Sequence, residues 1–317
     1  MTTQKANQPT DAAKSSLLER AAVVYDFNAA FRKAGSTAAA PARSDGAKPL
    51  SAAPDALVAG AAMAPPRRAS VERHRVSINR DRLLEQGLLV PGGAVGLLAE
   101  EFRLVKRQLL LTARAIAKTS ENRGRIILVS SANPEEGKTY CALNLAISMA
   151  AEKDVEVLLV DADFAKADVM RRLGLAEGPG LLDALADPGA DVESFVMSTD
   201  VPQLSLLSTG TRTTQDTELL ASERTPALLN TLLEYDRQRI IIMDSPPALA
   251  ASTGATLALH VGQVMMVVRA DRTSSNDLRD AVCLLDGCAH IQLLLNAATY
   301  AAGGRRFGNY YPQELPT

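Results

Sequence analysis

Six short runs of almost uninterrupted apolar residues limit the folds that this chain can adopt. The runs are Ile126 to Val129, Val157 to Val160, Leu204 to Leu207, Ile240 to Met243, Val264 to Val268 and Ile291 to Leu295. Segments of helix length separate most of them. Strands without polar alternation are typical of sheets buried on both faces, so the pattern predicts an α/β fold in which helices sandwich a mostly parallel sheet. In such sheets, ligands bind beyond the carboxyl ends of the strands.

The segment after the first run fits the looser Walker A pattern of a P-loop, [AG]-x-x-x-x-G-K-[ST], and a helix-like stretch follows it. In such a loop the backbone amides and the start of the helix face the phosphates. Lys138 would reach the β and γ phosphates of ATP, and the Thr139 hydroxyl would ligate Mg²⁺. The predicted ATP-binding residues of this segment are Ala132, Asn133, Pro134, Glu135, Glu136, Gly137, Lys138, Thr139 and Tyr140.

Carboxylates follow two of the other apolar runs. Asp161 and Asp163 end the second run, and Asp244 ends the fourth. A carboxylate at the end of a buried strand is costly unless a cation or hydrogen-bond donors meet it, and a magnesium nucleotide supplies the cation. The alternative role for each aspartate is to cap the next helix. Together with the phosphate loop, the three residues favour a shared nucleotide site.

Composition divides the chain into four parts. Residues 1–34 contain an S-x-x-E capping box and apolar residues at helical spacing, which predict an amphipathic helix from about residue 17 to 33. Residues 35–78 are rich in Ala, Pro, Gly and Ser, which is typical of a flexible linker. Residues 79–299 form the predicted P-loop domain, with a packing or oligomerisation helix at about 93–118, and residues 300–317 form a flexible tail.

The overall charge and hydropathy set limits on partners and location. Lys and Arg total 34 against 36 Asp and Glu, so the charge balance predicts no nucleic-acid partner. No apolar run approaches the roughly 20 residues that a membrane-spanning helix needs. We therefore expect a cytoplasmic protein, recruited to the inner face of the membrane through a partner.

The motifs resemble those of the bacterial tyrosine kinases. The order S-x-x-P-x-E-G-K-T, LLVDAD and IIIMDSPP carries the resemblance to this family of P-loop enzymes. The stretches AEEFRLVKRQLL, GLLDAL, TELLASER and LLLN, with the leading SLLERA, are similar to exosortase-associated tyrosine autokinases. The likeness covers most of residues 80 to 311.

This resemblance implies roles for individual residues. Lys138 and Thr139 would bind phosphate and Mg²⁺, and Asp161 would accept the tyrosine hydroxyl proton. Asp163 and Asp244 would hold Mg²⁺, and catalysis would rest on Lys138, Asp161 and Asp163. Asn296, after the last run, would lie near the adenine ring. The tail tyrosines Tyr300, Tyr310 and Tyr311 would be the phosphoacceptors.

The resemblance also implies partners. The family works as homo-oligomers with a membrane-anchored chain-length determinant or co-polymerase, which would here be a separate chain that activates the kinase. Glu100, Arg103 and Lys106 approximate the family's E-x-x-R-x-x-R subunit-contact helix, with Lys in the last place. The implied role is ATP-dependent autophosphorylation of the tail in trans, regulating exopolysaccharide synthesis or export.

Other departures from the family pattern keep two alternatives open. Glu135 stands where the family usually has Gly, and Ala165 replaces the basic residue after the DxDx motif. One alternative is a ParA- or MinD-like ATPase switch, but those proteins carry a lysine at the place of Asn133. The other is a non-catalytic, ATP-gated assembly factor of a polysaccharide machine.

Overall fold

A computed structural model describes residues 73–118 and 122–298, which form one eight-stranded sheet flanked by helices. The strand order is β1-β4-β5-β3-β6-β2-β7-β8, and every neighbouring pair is parallel except β4 with β5. The strands are β1 (Arg75–Val76), β2 (Ile126–Ser131), β3 (Glu156–Asp161), β4 (Met197–Thr199), β5 (Leu204–Leu207), β6 (Arg239–Asp244), β7 (Gln263–Arg269) and β8 (Ile291–Asn296). The predicted mostly parallel α/β fold is confirmed.

Most of the apolar runs became strands because the centre of the sheet is buried on both faces. In β2, Ile126 and Leu128 enter one hydrophobic cluster, whereas Ile127 and Val129 enter the cluster on the opposite face. All six residues of β2 and all six of β6 are buried. Two-sided burial removes the need for a polar residue at every second position, which explains the uninterrupted apolar pattern.

Nine α-helices lie within the described residues and cover the two faces. They are α1 (Arg80–Glu85), α2 (Leu97–Ile116), α3 (Lys138–Ala150), α4 (Val169–Leu173), α5 (Leu181–Ala186), α6 (Asp216–Ala221), α7 (Arg224–Tyr235), α8 (Thr253–Ala258) and α9 (Ser275–Leu284). Two 3-10 turns span Arg123–Arg125 and Val192–Phe195. Helix α2 corresponds to the helix predicted at about 93–118. None of these helices is long and apolar enough to cross a membrane.

The boundary predicted at residue 78 is too late, because the sheet includes residues from the range expected to be linker. Strand β1 pairs with β4 at Val76 and Thr199. Asp200 then accepts hydrogen bonds from the Ser77 hydroxyl at 2.9 Å and from the Ile78 amide at 3.0 Å. These contacts attach residues 75–78 to the domain. The predicted helix at 17–33, the linker up to residue 72 and the tail tyrosines lie outside the described residues.

Candidate nucleotide-binding site

The loop between β2 and α3 has the backbone geometry of a phosphate-binding loop. Gly137 adopts φ 98°, and α3 begins at the next residue, Lys138. A Cβ atom on Gly137 would lie 2.2 Å from Nδ2 of Asn296, so a larger residue cannot occupy this position without movement. The left-handed conformation and the close approach together explain why the motif has glycine here.

Glu135 also has a left-handed backbone, with φ 63°. This conformation is costly for a residue with a Cβ, by roughly 1–2 kcal/mol. The Arg269 guanidinium donates a hydrogen bond to the Glu135 carbonyl at 2.8 Å, and Arg272 lies 3.4 Å from its carboxylate. Arg269 is the last residue of β7, and Arg272 follows in the turn after that strand. The departure at Glu135 therefore coincides with a specific contact that supports the same loop conformation.

Glu136 is fully buried and ties the loop to the segment after β7. Its carboxylate accepts hydrogen bonds from the Asn133 amide at 2.9 Å and from the Thr273 hydroxyl at 2.5 Å. The Asn133 side chain donates to Asp277 at 3.0 Å. A buried carboxylate with two donors is stabilised by them, so we expect these contacts to keep the loop in one conformation. Sequence patterns did not indicate Thr273 or Asp277.

Asn296 holds the loop from the end of β8. Its Nδ2 donates a hydrogen bond to the Glu136 carbonyl at 2.9 Å. In the described residues its side chain therefore contacts the backbone of the phosphate loop, and a contact with adenine remains a prediction. The Tyr140 hydroxyl donates a hydrogen bond to the Gly87 carbonyl at 2.7 Å, and a contact of Tyr140 with the nucleotide also remains a prediction.

The predicted carboxylates meet at the carboxyl ends of β3 and β6. Asp161 and Asp244 are partners in the register of these two strands. Lys138 reaches over the same end of the sheet, where its Nζ lies 2.7 Å from the Asp163 carboxylate. Lys138 is 9% exposed and Asp163 is 2% exposed. The structure thus brings the lysine of the phosphate loop together with the aspartates that the sequence predicted.

Asp244 is a fully buried carboxylate without a well-formed hydrogen bond. Neither of its oxygens accepts a hydrogen bond of normal geometry from the described residues, and its exposure is 0%. Burial raises its pKa to about 7, although the nearby Lys138 charge and the Thr139 hydroxyl oppose the shift. A cation beside Asp244 would remove this cost.

Asp161 differs from Asp244 because backbone amides already satisfy it. Its carboxylate accepts hydrogen bonds from the amides of Asp163 at 3.3 Å, Asp168 at 3.1 Å and Val169 at 3.0 Å. Asp168 is the N-cap residue of α4 and Val169 is its first residue, so Asp161 satisfies amides at the start of this helix without being its N-cap residue. Burial, followed by the Asp244 charge, raises its pKa to about 8 in spite of the amides.

The donor set fits a magnesium nucleotide better than a metal held by protein alone. No cluster of three or more His, Cys, Asp or Glu side chains suited to a metal occurs among residues 73–118 and 122–298. Mg²⁺ usually takes one or two carboxylates and completes its shell with phosphate and water. The unpartnered Asp244 and the adjacent Thr139 hydroxyl suit that arrangement.

A parallel sheet, a glycine-dependent loop at the start of a helix and a buried lysine define a nucleotide-binding P-loop protein. Residues 124–287 match the family model described as AAA domain. This match covers more than half of the chain, and the chain belongs to that family.

The chain is also similar in sequence to individual bacterial proteins of known family. The chain is 33% identical over 193 residues to EpsB of Ralstonia nicotianae, a match that covers 58% of this chain and 25% of the relative. It is 29% identical over 211 residues to tyrosine-protein kinase ptk of Acinetobacter johnsonii, covering 66% of this chain and 28% of the relative. The chain therefore spans about a quarter of the length of these relatives.

A solved structure agrees with these relatives. The BceF tyrosine kinase domain is 30% identical and superposes with a TM-score of 0.52 over 62% of this chain and 76% of that domain. The resemblance to bacterial tyrosine kinases is confirmed, whereas the exosortase-associated subgroup remains a prediction.

Proposed function

We propose that this chain is an ATP-dependent protein-tyrosine kinase that phosphorylates its own C-terminal tail. The observation that carries the proposal is the buried cluster of Lys138, Asp163 and Asp244 beside a phosphate loop, in a chain related to tyrosine kinases. A P-loop kinase needs little covalent chemistry from the protein, because phosphoryl transfer depends mainly on positioning and charge neutralisation. The cluster offers both.

In this proposal, the Lys138 ammonium gives up part of its contact with the Asp163 carboxylate and donates hydrogen bonds to the β and γ phosphates of ATP. The amides of residues 132–139 and the start of α3 bind the same phosphates. Thr139, Asp163 and Asp244 would hold Mg²⁺, which would supply positive charge beside the phosphates. The contacts from Thr273, Arg269 and Asn296 keep the loop in its binding conformation.

Asp161 is the proposed acceptor of the tyrosine hydroxyl proton. Its three amide contacts fix the direction of the carboxylate and leave lone pairs for another donor. A base must be ionised, and in the free chain the pKa of Asp161 is raised to about 8 by burial and by Asp244. Positive charge held by Asp244 would lower that pKa, so nucleotide binding would also prepare the base.

The wider role is proposed from the family resemblance. Tyr300, Tyr310 and Tyr311 are the acceptors, and transfer occurs in trans within a homo-oligomer. A membrane-anchored co-polymerase on a separate chain recruits the cytoplasmic kinase to the inner face of the membrane and activates it. Phosphorylation then regulates exopolysaccharide synthesis or export, without nucleic acid.

The residue type at position 133 argues against the alternative of a ParA- or MinD-like switch. That class needs a lysine at the place of Asn133, whose amide and side chain are here bound to Glu136 and Asp277. A non-catalytic, ATP-gated factor would differ from the proposed kinase only in lacking phosphoryl transfer.

The test is to incubate the purified chain with magnesium ATP and to analyse phosphotyrosine and ADP. Lys138→Met should bind ATP at least about tenfold more weakly and form no phosphotyrosine, because a charge-assisted contact to phosphate is lost. Lys153→Met changes an exposed lysine outside the site and is the control. Tight ATP binding by folded Lys138→Met would contradict the site assignment. ADP without phosphotyrosine in the unsubstituted chain would favour an ATPase switch.

A further inference from the structure

A groove of about 560 Å³ lies between α2 and the end of β8, beside the first turn of α3. Its lining is mostly apolar and includes Leu98, Phe102, Leu104 and Leu295. Tyr140, Cys141 and Asn296 also line it. The groove thus contacts the helix that begins with Lys138 and the asparagine that holds the phosphate loop.

Exposed leucines surround the groove on both elements. In α2, Leu97, Leu104 and Leu111 are 51%, 53% and 49% exposed and recur every seven residues, which places them on one stripe of the helix. In β8, Leu293 and Leu295 are 60% and 61% exposed. They share the sheet face of their β7 partners Met266 and Val268, which is opposite to the face that α2 covers. Leu97 and Leu104 of the α2 stripe also line the groove, and exposed apolar surface that adjoins a groove often marks a contact site.

Strand β8 also has a free edge. It ends the strand order and pairs only with β7 among the described strands. Its outer backbone groups can therefore accept a further extended segment. A leucine-lined edge next to an apolar groove suits a peptide that combines backbone pairing with large side chains.

The chain itself leads into this groove. Ala297 and Ala298 line it, and they are the last described residues. Ala297 has φ 54°, a left-handed conformation that turns the chain at the end of β8. The remaining sequence, residues 299–317, could span on the order of 60 Å when extended. The groove face of α2 from residue 97 to 105 measures only about 12 Å.

The composition of residues 299–317 complements the groove. It includes four aromatic residues, Tyr300, Phe307, Tyr310 and Tyr311, which suit an apolar lining. It also has Arg305 and Arg306, with no acidic residue before Glu314. Glu101 lines the groove and is exposed, so it offers a charge of opposite sign.

We propose that residues 299–317 dock in cis into the groove between α2 and β8 and cover its exposed leucines. Attachment at Ala298 gives the segment a high effective concentration, in the millimolar range for a short flexible link, which favours the cis contact over a second copy. While docked, the tail withholds its tyrosines from other molecules and contacts Tyr140 and Asn296, so transfer in trans requires the tail to leave the groove. This contact requires no kinase activity, so its test is independent of the proposed function.

The test is photo-crosslinking of the full chain with benzoylphenylalanine introduced at Phe307. Isotopically heavy and light chains are mixed, and the linked peptides are identified by mass spectrometry. We expect links to residues 97–105 or 291–298, formed within heavy chains and within light chains only. Mixed heavy–light links would overturn the cis contact and indicate a second copy, and links to another surface or an absence of links would overturn the proposed site.

Two substitutions on the groove and one matched control complete the test. Leu104→Asp and Leu295→Asp should each reduce the links about tenfold, because each places a charge where an apolar contact is expected. Leu284→Asp is the control, since Leu284 is 47% exposed and lies on α9 outside the groove. Thermal melting identifies a variant that is unfolded, and the second groove variant then decides the outcome. Equal links in the control and in a folded groove variant would contradict the proposal.

Discussion

Thr273 shows how one hydroxyl outside the P-loop motif supports the loop. It donates to the buried carboxylate of Glu136, and it also accepts a hydrogen bond from the Arg269 amide at 2.9 Å. One side chain therefore joins the turn after β7 to the phosphate loop. The two hydrogen bonds share the Thr273 hydroxyl and form a network in which the loss of one bond affects the other.

Thr273→Val should weaken ATP binding by about five- to tenfold, which corresponds to the loss of about one ordinary hydrogen bond. Valine keeps the shape of threonine but leaves Glu136 with one donor fewer. ATP affinity is measured by calorimetry. Thr231→Val is the control, because Thr231 is exposed on α7 and its hydroxyl contacts only the Ala227 carbonyl. Unchanged affinity in the Thr273 variant would show that the loop holds its conformation without this contact.

Asp244→Asn should stabilise the free protein at pH 8 while it weakens binding of magnesium ATP. The folded pKa of Asp244 is raised to about 7 against an ordinary value near 3.8, so its destabilising contribution develops as pH rises from about 4 to 7. The variant should therefore melt about 2–8 °C higher than the unsubstituted chain at pH 8 and show a smaller difference at pH 5. A melting difference that is independent of pH would contradict this cause.

At the scale of elements, Asp200 attaches the start of the described chain to the sheet. It accepts hydrogen bonds from Ser77 and Ile78, and Arg80 lies 2.5 Å from its carboxylate. Burial acts to raise the pKa of Asp200, but the Ile78 amide, the Ser77 hydroxyl and Arg80 outweigh it and lower the pKa. The ionised carboxylate therefore stabilises the fold, and this contribution is present above the unfolded pKa near 3.9.

Asp200→Ala should reduce the free energy of unfolding by about 1–2 kcal/mol at pH 7, through the loss of hydrogen bonds to a charged acceptor. The effect should decrease as pH falls below about 4, where the carboxylate of the unsubstituted chain becomes protonated. Denaturant unfolding measures the energies, and hydrogen exchange should show faster exchange at residues 75–80. Asp187→Ala, at an exposed turn, is the control.

The sequence predicted the strands that are buried on two faces and did not predict the two short strands at the β1 end of the sheet. Long apolar runs such as that of β6 identify core strands by themselves. Strands β1 and β4 have only two and three residues and contain Arg, Ser and Thr, so their strand character comes from pairing with each other and with β5. The residues of the candidate site also fall into a predictable and an unpredictable group. The motif residues were predictable, whereas Thr273 reaches Glu136 only because β7 lies beside β2 in the sheet.

At the scale of the whole molecule, transfer in trans can be separated from transfer within one chain. A full-length Lys138→Met chain, which should not transfer phosphate, is mixed with an active chain that lacks residues 301–317. We expect phosphate on Tyr310 or Tyr311 of the inactive chain, detected by mass spectrometry. The inactive chain alone is the control. An unmodified inactive chain, despite ATP binding by its partner, would contradict the trans mechanism.

Strand β1 also has a mechanical consequence. Two backbone hydrogen bonds link it to the neighbouring segment, from the Ser198 amide to the His74 carbonyl at 2.9 Å and from the Asp200 amide to the Val76 carbonyl at 3.0 Å. A tension applied to the chain before residue 73 would reach these two bonds and the ion pair between Arg73 and Glu193 first. They would break before the long parallel strands of the core carried the load. Under a tension applied through the residues before 73, strand β1 would thus detach first, and the nucleotide site would keep its structure.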